Sequence, residues 1–173
     1  MTSRPGLWLR TPTAGDLIDV CRAMCAADAA EIFALRRHSD RERLAMEIYA
    51  VIPSAIRAFA IGLDSEPMAK AFLAIWAMDE TGDLAAAHLF GTDDFPRIGN
   101  RLVRYVRQIM IPELLAAGMR RVEARVMETH GKARAFLKAC GAVEETSPPH
   151  LPDMGGNGET YVLCAWRRSD WTR

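Results

Sequence analysis

Two histidines and a row of arginines carry most of the chemistry this sequence can offer. His88 lies in LAAAHLF and His130 in ETHGKA. Imidazole titrates near neutral pH, so either side chain suits a proton transfer. The plainer alternatives are a half-buried strand histidine for His88 and a turn or cap residue for His130. Arg97, Arg101, Arg104 and Arg107 recur on one side of a stretch whose other side carries Leu102, Val106, Ile109 and Met110. Such a row is either a solvated helix face or a basic edge for an anion. Tyr161 is a further donor whose direction the sequence does not fix. Cys21, Cys25, Cys140 and Cys164 lack zinc spacing and read as small buried hydrophobes in a reducing compartment. No Gly-x-Ser-x-Gly turn, P-loop or paired metal ligands occur.

The elements that must position these groups alternate. In MRRVEARVMETHGKARAFLKACGAV, residues 119–143, Val122, Ala124 and Val126 alternate with Glu123, Arg125 and Met127. That period of two predicts a strand ending at Thr129-His130-Gly131. Ala133, Phe136, Leu137 and Cys140 then fall at helical spacing, with Gly141 placed for a left-handed cap. A long helix over 97–117, closed by Gly118, precedes the strand, and Pro112 is expected to kink or break it. Upstream, residues 7–10 read as a short first strand. Thr13 with Asp16 resembles a capping box opening a helical stripe through Cys25, and 27–35 continues it or starts another helix. Ser39 and Glu42 form a second capping box, for a helix that ends near Pro53. Residues 56–63 suit helix or strand. The turn at 64–67 and the strand at 70–78 favour strand, and 84–90 completes three antiparallel strands before the long helix. Strands at 142–145 and 159–167 flank a Pro- and Gly-rich loop, and the tail from about 168 is expected to be loose unless Trp171 packs back. Helices alternating with strands require a sheet with helices packed on it.

Composition limits the partners. At 173 residues, one domain over 1–173 is expected. Lys+Arg and Asp+Glu are both 22, which argues against general nucleic-acid binding. No apolar run is long enough to span a bilayer, and residues 1–15 lack a signal-peptide core, so a cytoplasmic protein is expected.

The central stretch resembles the second half of the GNAT acyltransferase fold. That family follows such a strand with Asn-x-x-Ala-x-x-Phe-Tyr-x-x-x-Gly-Phe. His130, Ala133, Phe136, Leu137, Gly141 and Ala142 stand at those six positions. Arg134-Ala-Phe136-Leu137-Lys138, Gly141-Ala142-Val143 and the spacing Met24, Asp28, Glu31 are most similar to GNAT-like proteins of short-tailed bacteriophages and prophages. The resemblance covers roughly residues 8–168. It implies an α+β fold with a central mixed, mostly antiparallel sheet flanked by helices.

The resemblance also implies a site. Acetyl-CoA would lie in a splay between the fourth and fifth strands, its pantetheine on the backbone edge at Ala87, Leu89 and Phe90. Its pyrophosphate would meet the start of the next helix, where orphan N–H groups favour an anion. The family's Gln/Arg-x-x-Gly-x-Gly/Ala is reduced here to Arg97-Ile98-Gly99-Asn100-Arg101, so Arg97, Gly99, Asn100 and Arg101 are the expected contacts, with Arg104 within reach. The usual acid, a Tyr, is Leu137. The usual strand Glu is absent, and only His88 stands on that strand, while His130 replaces the Asn; these two are the catalytic candidates. Asp28 and Glu31 would lie over the acceptor side, unless they form a solvated helix face. The implied activity is N-acetyl transfer from acetyl-CoA to an amine, in the host cytoplasm or a virion. The alternative is an inactive GNAT-fold protein acting in virion assembly, or as a virion component beside other phage structural proteins. Pairing of two copies through C-terminal strands is a further implication.

Overall fold

The computed structural model describes residues 6–171, whose strands form one seven-stranded sheet. In chain order they are β1 Leu7–Arg10, β2 Arg57–Leu63, β3 Ala71–Ala77, β4 Leu84–Gly91, β5 Arg121–Met127, β6 Val143–Glu144 and β7 Tyr161–Arg167. Across the sheet the order is β1-β2-β3-β4-β5-β7-β6. Every neighbouring pair is antiparallel except β4 and β5. A parallel pair needs a crossover, and the long helical segment between β4 and β5 supplies it.

The helices are α1 Ala14–Arg22, α2 Ala26–Ala34, α3 Arg41–Val51, α4 Pro96–Tyr105, α5 Ile111–Ala116, α6 Gly131–Ala139 and α7 Arg168–Trp171. Period-two strands give the sheet two apolar faces, and each face has its own core. On one, Ile98 and Leu102 of α4 and Val106 just after it pack with Val122 and Val126. On the other, Leu17, Val20, Leu44 and Ile48 of α1 and α3 pack with Phe72 and Phe90.

Local signals act largely as their chemistry requires. Thr13 and Asp16 close the expected capping box, with Asp16 N–H donating to Thr13 Oγ1 at 3.1 Å and Thr13 N–H to Asp16 Oδ2 at 3.0 Å. Gly118 and Gly141 take φ of +116° and +91° at the helix ends predicted for them. The cap of α3 is Asp40 rather than Ser39: its carboxylate accepts from the N–H groups of Glu42 and Arg43. One residue later in the chain, a carboxylate reaches two orphan donors and sets a negative charge on the positive helix end. Pro112 does not break its helix. A π turn over 106–110 comes before it, and α5 begins at Ile111 with the proline in its first turn, where no N–H is needed. At the tail, Trp171 packs back on the core. Residues 168–171 are helical, and the Trp171 ring lies against Gly141, so the segment is ordered by packing; residues 172–173 lie outside the described residues. Among the described residues, no helix is long and apolar enough to cross a membrane.

Candidate functional site

The site begins where β4 and β5 part. They pair only through Leu84–Ala86 and Arg121–Glu123, although β4 runs on to Gly91 and β5 to Met127. Antiparallel pairing turns alternate residues towards each neighbour. Met78 N–H donates to Leu84 C=O and Thr92 N–H to Lys70 C=O, so the even-numbered residues of β4 bond to β3. The main-chain groups of Ala87, Leu89 and Gly91 therefore face the gap. Phe90, the third expected edge residue, does not: its backbone is turned to β3 and its ring is buried 5.3 Å from Phe72. A cleft of about 940 Å³ passes through the gap, from Ile32, Val51 and Trp76 on one face to Phe95, Ala133 and Phe136 on the other.

The helix α2 holds this gap. Cys25 N–H donates to Gly91 C=O at 3.0 Å, which pins the start of α2 to the end of β4. Asp28 Oδ2 accepts from Gly91 N–H at 2.7 Å, and Glu31 Oε2 accepts from Met127 N–H at 2.9 Å. One helix thus supplies a carboxylate to the unpaired end of each strand. His130 lies between them, Nδ1 at 2.9 Å from Glu31 and Nε2 at 3.4 Å from Asp28. The Glu31 hydrogen bond raises the pKa of His130 above its ordinary value, and burial raises that of Asp28. With Glu31 on Nδ1 and Asp28 near Nε2, the His130 ring braces the cleft wall between two carboxylates. Asp28 and Glu31 are not a solvated face; their i, i+3 spacing, which puts both on one side of α2, was the readable signal. Tyr161 donates its hydroxyl to Glu31 C=O at 2.8 Å, and burial pushes its pKa up to about 12. Leu137, at the position of the family's acid, is buried in the core.

His88 is the group left free for proton chemistry. Solvent reaches its ring within the cleft, yet protein surrounds it, and Trp76 packs edge-on at 5.3 Å. Burial in the cleft wall holds its pKa below the ordinary value, and the charges of Arg36 and Arg125 push the same way. The imidazole is neutral at pH 7, with no hydrogen-bond partner among the described residues.

The start of α4 departs from an open phosphate cradle. Its first N–H groups are taken: Arg97 donates to Asp94 C=O at 3.0 Å, and Ile98 and Gly99 to Phe95 C=O at 3.0 and 2.9 Å. Gly99 is buried, and the space beside it holds the Phe95 ring, 3.5 Å from where a Cβ would sit. Arg97 is tied to Glu66 and Asp94, which also bind Lys70. Asn100, Arg101 and Arg104 lie on the solvent side of α4, outside the cleft. Lys132, at the start of α6, does line the cleft, a residue the sequence analysis missed. Phe95 fits only because Gly91 faces it: a Cβ there would stand 2.7 Å from the ring. Gly91→Ala is therefore expected to cost about 1–3 kcal/mol through overpacking, measurable as a lower urea midpoint.

No protein-family model matches the chain, and no curated protein matches it by sequence. Solved structures do match by shape. Spermidine N-acetyltransferase from Vibrio cholerae, in complex with CoA and spermine, superposes with a TM-score of 0.65 at 17% identity, over 96% of this chain and 98% of that one. A GNAT-family acetyltransferase from Bacillus anthracis gives 0.71 at 10% identity, over 96% and 98%. The yncA protein of Salmonella typhimurium, solved with its cofactor acetyl-CoA, gives 0.64 at 9% identity, over 94% of each chain. A mostly antiparallel seven-stranded sheet, splayed between its one parallel pair and flanked by helices, gives this chain the fold of the GNAT acetyltransferases.

Proposed function

We propose that the chain is an N-acetyltransferase that moves an acetyl group from acetyl-CoA to an amine held beside His88. The observation that carries this is the splay, with its unpaired main-chain edge and a neutral, unpartnered histidine on the α2 side. The residues present fit one part of the cofactor. Ala87 and Leu89 offer main-chain groups to the amides of a pantetheine arm, and Phe95, Ala133 and Phe136 give it an apolar channel. The N–H groups opening α4 do not fit the phosphates, because the chain's own carbonyls hold them; Lys132 is the cation placed to meet a phosphate instead. Acetyl-CoA, when bound, would supply the acetyl group as an activated thioester. His88 accepts the proton that an ammonium acceptor must lose to become a nucleophile. The Asp28–His130–Glu31 clasp keeps the strands apart, so the channel exists before any ligand arrives.

The closed cradle at α4 favours a second reading, a GNAT-fold protein without catalysis serving in a phage particle. Calorimetric titration separates the two. Acetyl-CoA is expected to bind, and acetyl-pantetheine to bind nearly as well, since the α4 amides add little. Leu89→Pro removes an N–H that faces the gap and is not part of the β3 ladder. It should weaken both donors roughly tenfold, the worth of a hydrogen bond or two. Absence of heat with either donor at millimolar concentration would sink the enzyme reading and leave the scaffold.

A further inference from the structure

Arg125 and Arg36 have no part in the donor site, and their placement specifies the acceptor. His88 is two residues past Ala86 on β4, and Arg125 two past Glu123 on β5; Ala86 and Glu123 are paired. His88 and Arg125 therefore face each other across the splay, on the same side of the sheet. Arg36 follows α2 and lines the same cleft. The Arg125 guanidinium has no ion pair or hydrogen bond among the described residues, and that of Arg36 only a 3.4 Å contact to Ile32 C=O. Both are close enough to His88 for their charges to act on it.

The carboxylates of the cleft do not neutralise them. Asp28 and Glu31 are committed to His130 and to main-chain N–H groups. Glu47 is paired with His38 and Arg43, and Glu123 with Arg121. Asp93 lies past Gly91, beyond the end of β4. Two unpaired guanidiniums beside a neutral base in a walled cleft call for an anion, and a guanidinium fork matches a carboxylate best. The wall beside them is apolar and uncovered. Leu35, Val51 and Met78 line the cleft and remain 47%, 48% and 46% exposed. A large apolar side chain left in water within a cleft is a surface that awaits a ligand.

We propose that the acceptor is an apolar α-amino acid, its carboxylate held by Arg125 and Arg36, its amine at His88, and its side chain against Leu35, Val51 and Met78. This rests on the acyl-transfer reading of the cleft and deepens it. On transfer, the acceptor ammonium gives one proton to His88, its nitrogen bonds to the acetyl carbon, the carbon–sulfur bond breaks, and CoA leaves as the thiol, its sulfur taking the second proton that the nitrogen loses on becoming an amide.

The test is calorimetry with leucine, 3-methylbutylamine and phosphoethanolamine, each titrated with and without CoA, alongside an acetylation assay. Leucine is expected to bind at least tenfold more tightly than 3-methylbutylamine, which lacks only the carboxylate. Arg125→Gln and Arg36→Gln should each remove about tenfold of leucine affinity, leave 3-methylbutylamine unchanged, and be partly rescued by Lys. Both arginines are exposed, so the variants should unfold with the parent's midpoint. Equal binding of leucine and 3-methylbutylamine overturns the proposal, as does a preference for phosphoethanolamine, which would make the anion a phosphate. Arginine-dependent leucine binding with no acetylation from any thioester upholds the amino-acid site and sinks the transferase reading. Acetylation that ignores the carboxylate does the reverse.

Discussion

His88→Ala is expected to lower kcat for acetyl transfer by about 10²–10⁴-fold, the usual contribution of a positioned general base. The size follows from the absence of a substitute. Tyr161 has given its hydroxyl to Glu31 C=O, and Leu137 carries no proton. His130 is held between two carboxylates. Stability should barely change, because the His88 ring is open to solvent in the cleft and has no hydrogen-bond partner among the described residues. The pH profile carries the sharper signature. A base works when deprotonated, and burial with two arginine charges keeps the His88 pKa below 6.5. The acid limb of kcat should therefore lie below 6.5, with no further gain from this group above neutrality. Arg125→Gln removes one of those charges, so the limb should move towards higher pH. A limb that stays in place in Arg125→Gln, or a kcat that survives His88→Ala, would remove His88 from the role.

The fold was legible because its signals are local. The alternation in β5, the Gly141 cap and the turns of the β2–β4 meander each reside in a few adjacent residues, and the structure keeps them. Even the misplaced cap of α3 is a choice between adjacent residues, Ser39 and Asp40, that leaves the helix intact. The site was legible only in part, because its contacts join residues far apart in the chain. Nothing across the sequence separation of 96 from Glu31 to Met127 announces that the carboxylate of one caps the backbone of the other. His130 reads as a proton carrier by type, and its place between two carboxylates depends on two partners on α2. Gly99 reads as room for a phosphate, and that room is filled by Phe95, four residues earlier on the same turn. Arg125 reads as the polar half of an alternating strand. Its meaning depends on β4 and β5 parting just beyond Ala86, which a one-dimensional pattern does not record.

The clasp makes a second large effect, this time on stability. Glu31→Ala should cost about 3 kcal/mol, at the lower edge for breaking a buried pair. It strands the Met127 N–H and leaves the His130 ring with only Asp28 at 3.4 Å. The pair is well shielded, with side-chain exposures of 18% for Glu31 and 9% for His130, so solvent screening discounts the loss little. For a chain of this size that is a fall of roughly 6–12 °C in Tm. Its pH dependence follows from the direction of the shift. The folded-state pKa of His130 lies above the ordinary 6.5, mainly through Glu31. A raised histidine gives stability that is complete below the unfolded pKa and lost as pH rises through the folded one. The gap between parent and Glu31→Ala should therefore be widest near about pH 5.5 and narrower near about pH 9. Asp28 pulls in the same direction at lower pH: burial raises its pKa above 3.8, so rising pH weakens the fold as that carboxyl ionises. Urea unfolding at both pH values measures the gap, and a gap independent of pH would mean that Glu31 acts as a strand cap alone. Either way the same helix that closes the ends of β4 and β5 sets the width of the opening, so loss of Glu31 should weaken donor binding together with stability. A cleft that depends on one buried carboxylate is rigid only while that carboxylate keeps its partners, which is how a stability residue comes to govern the shape of the cleft it lines.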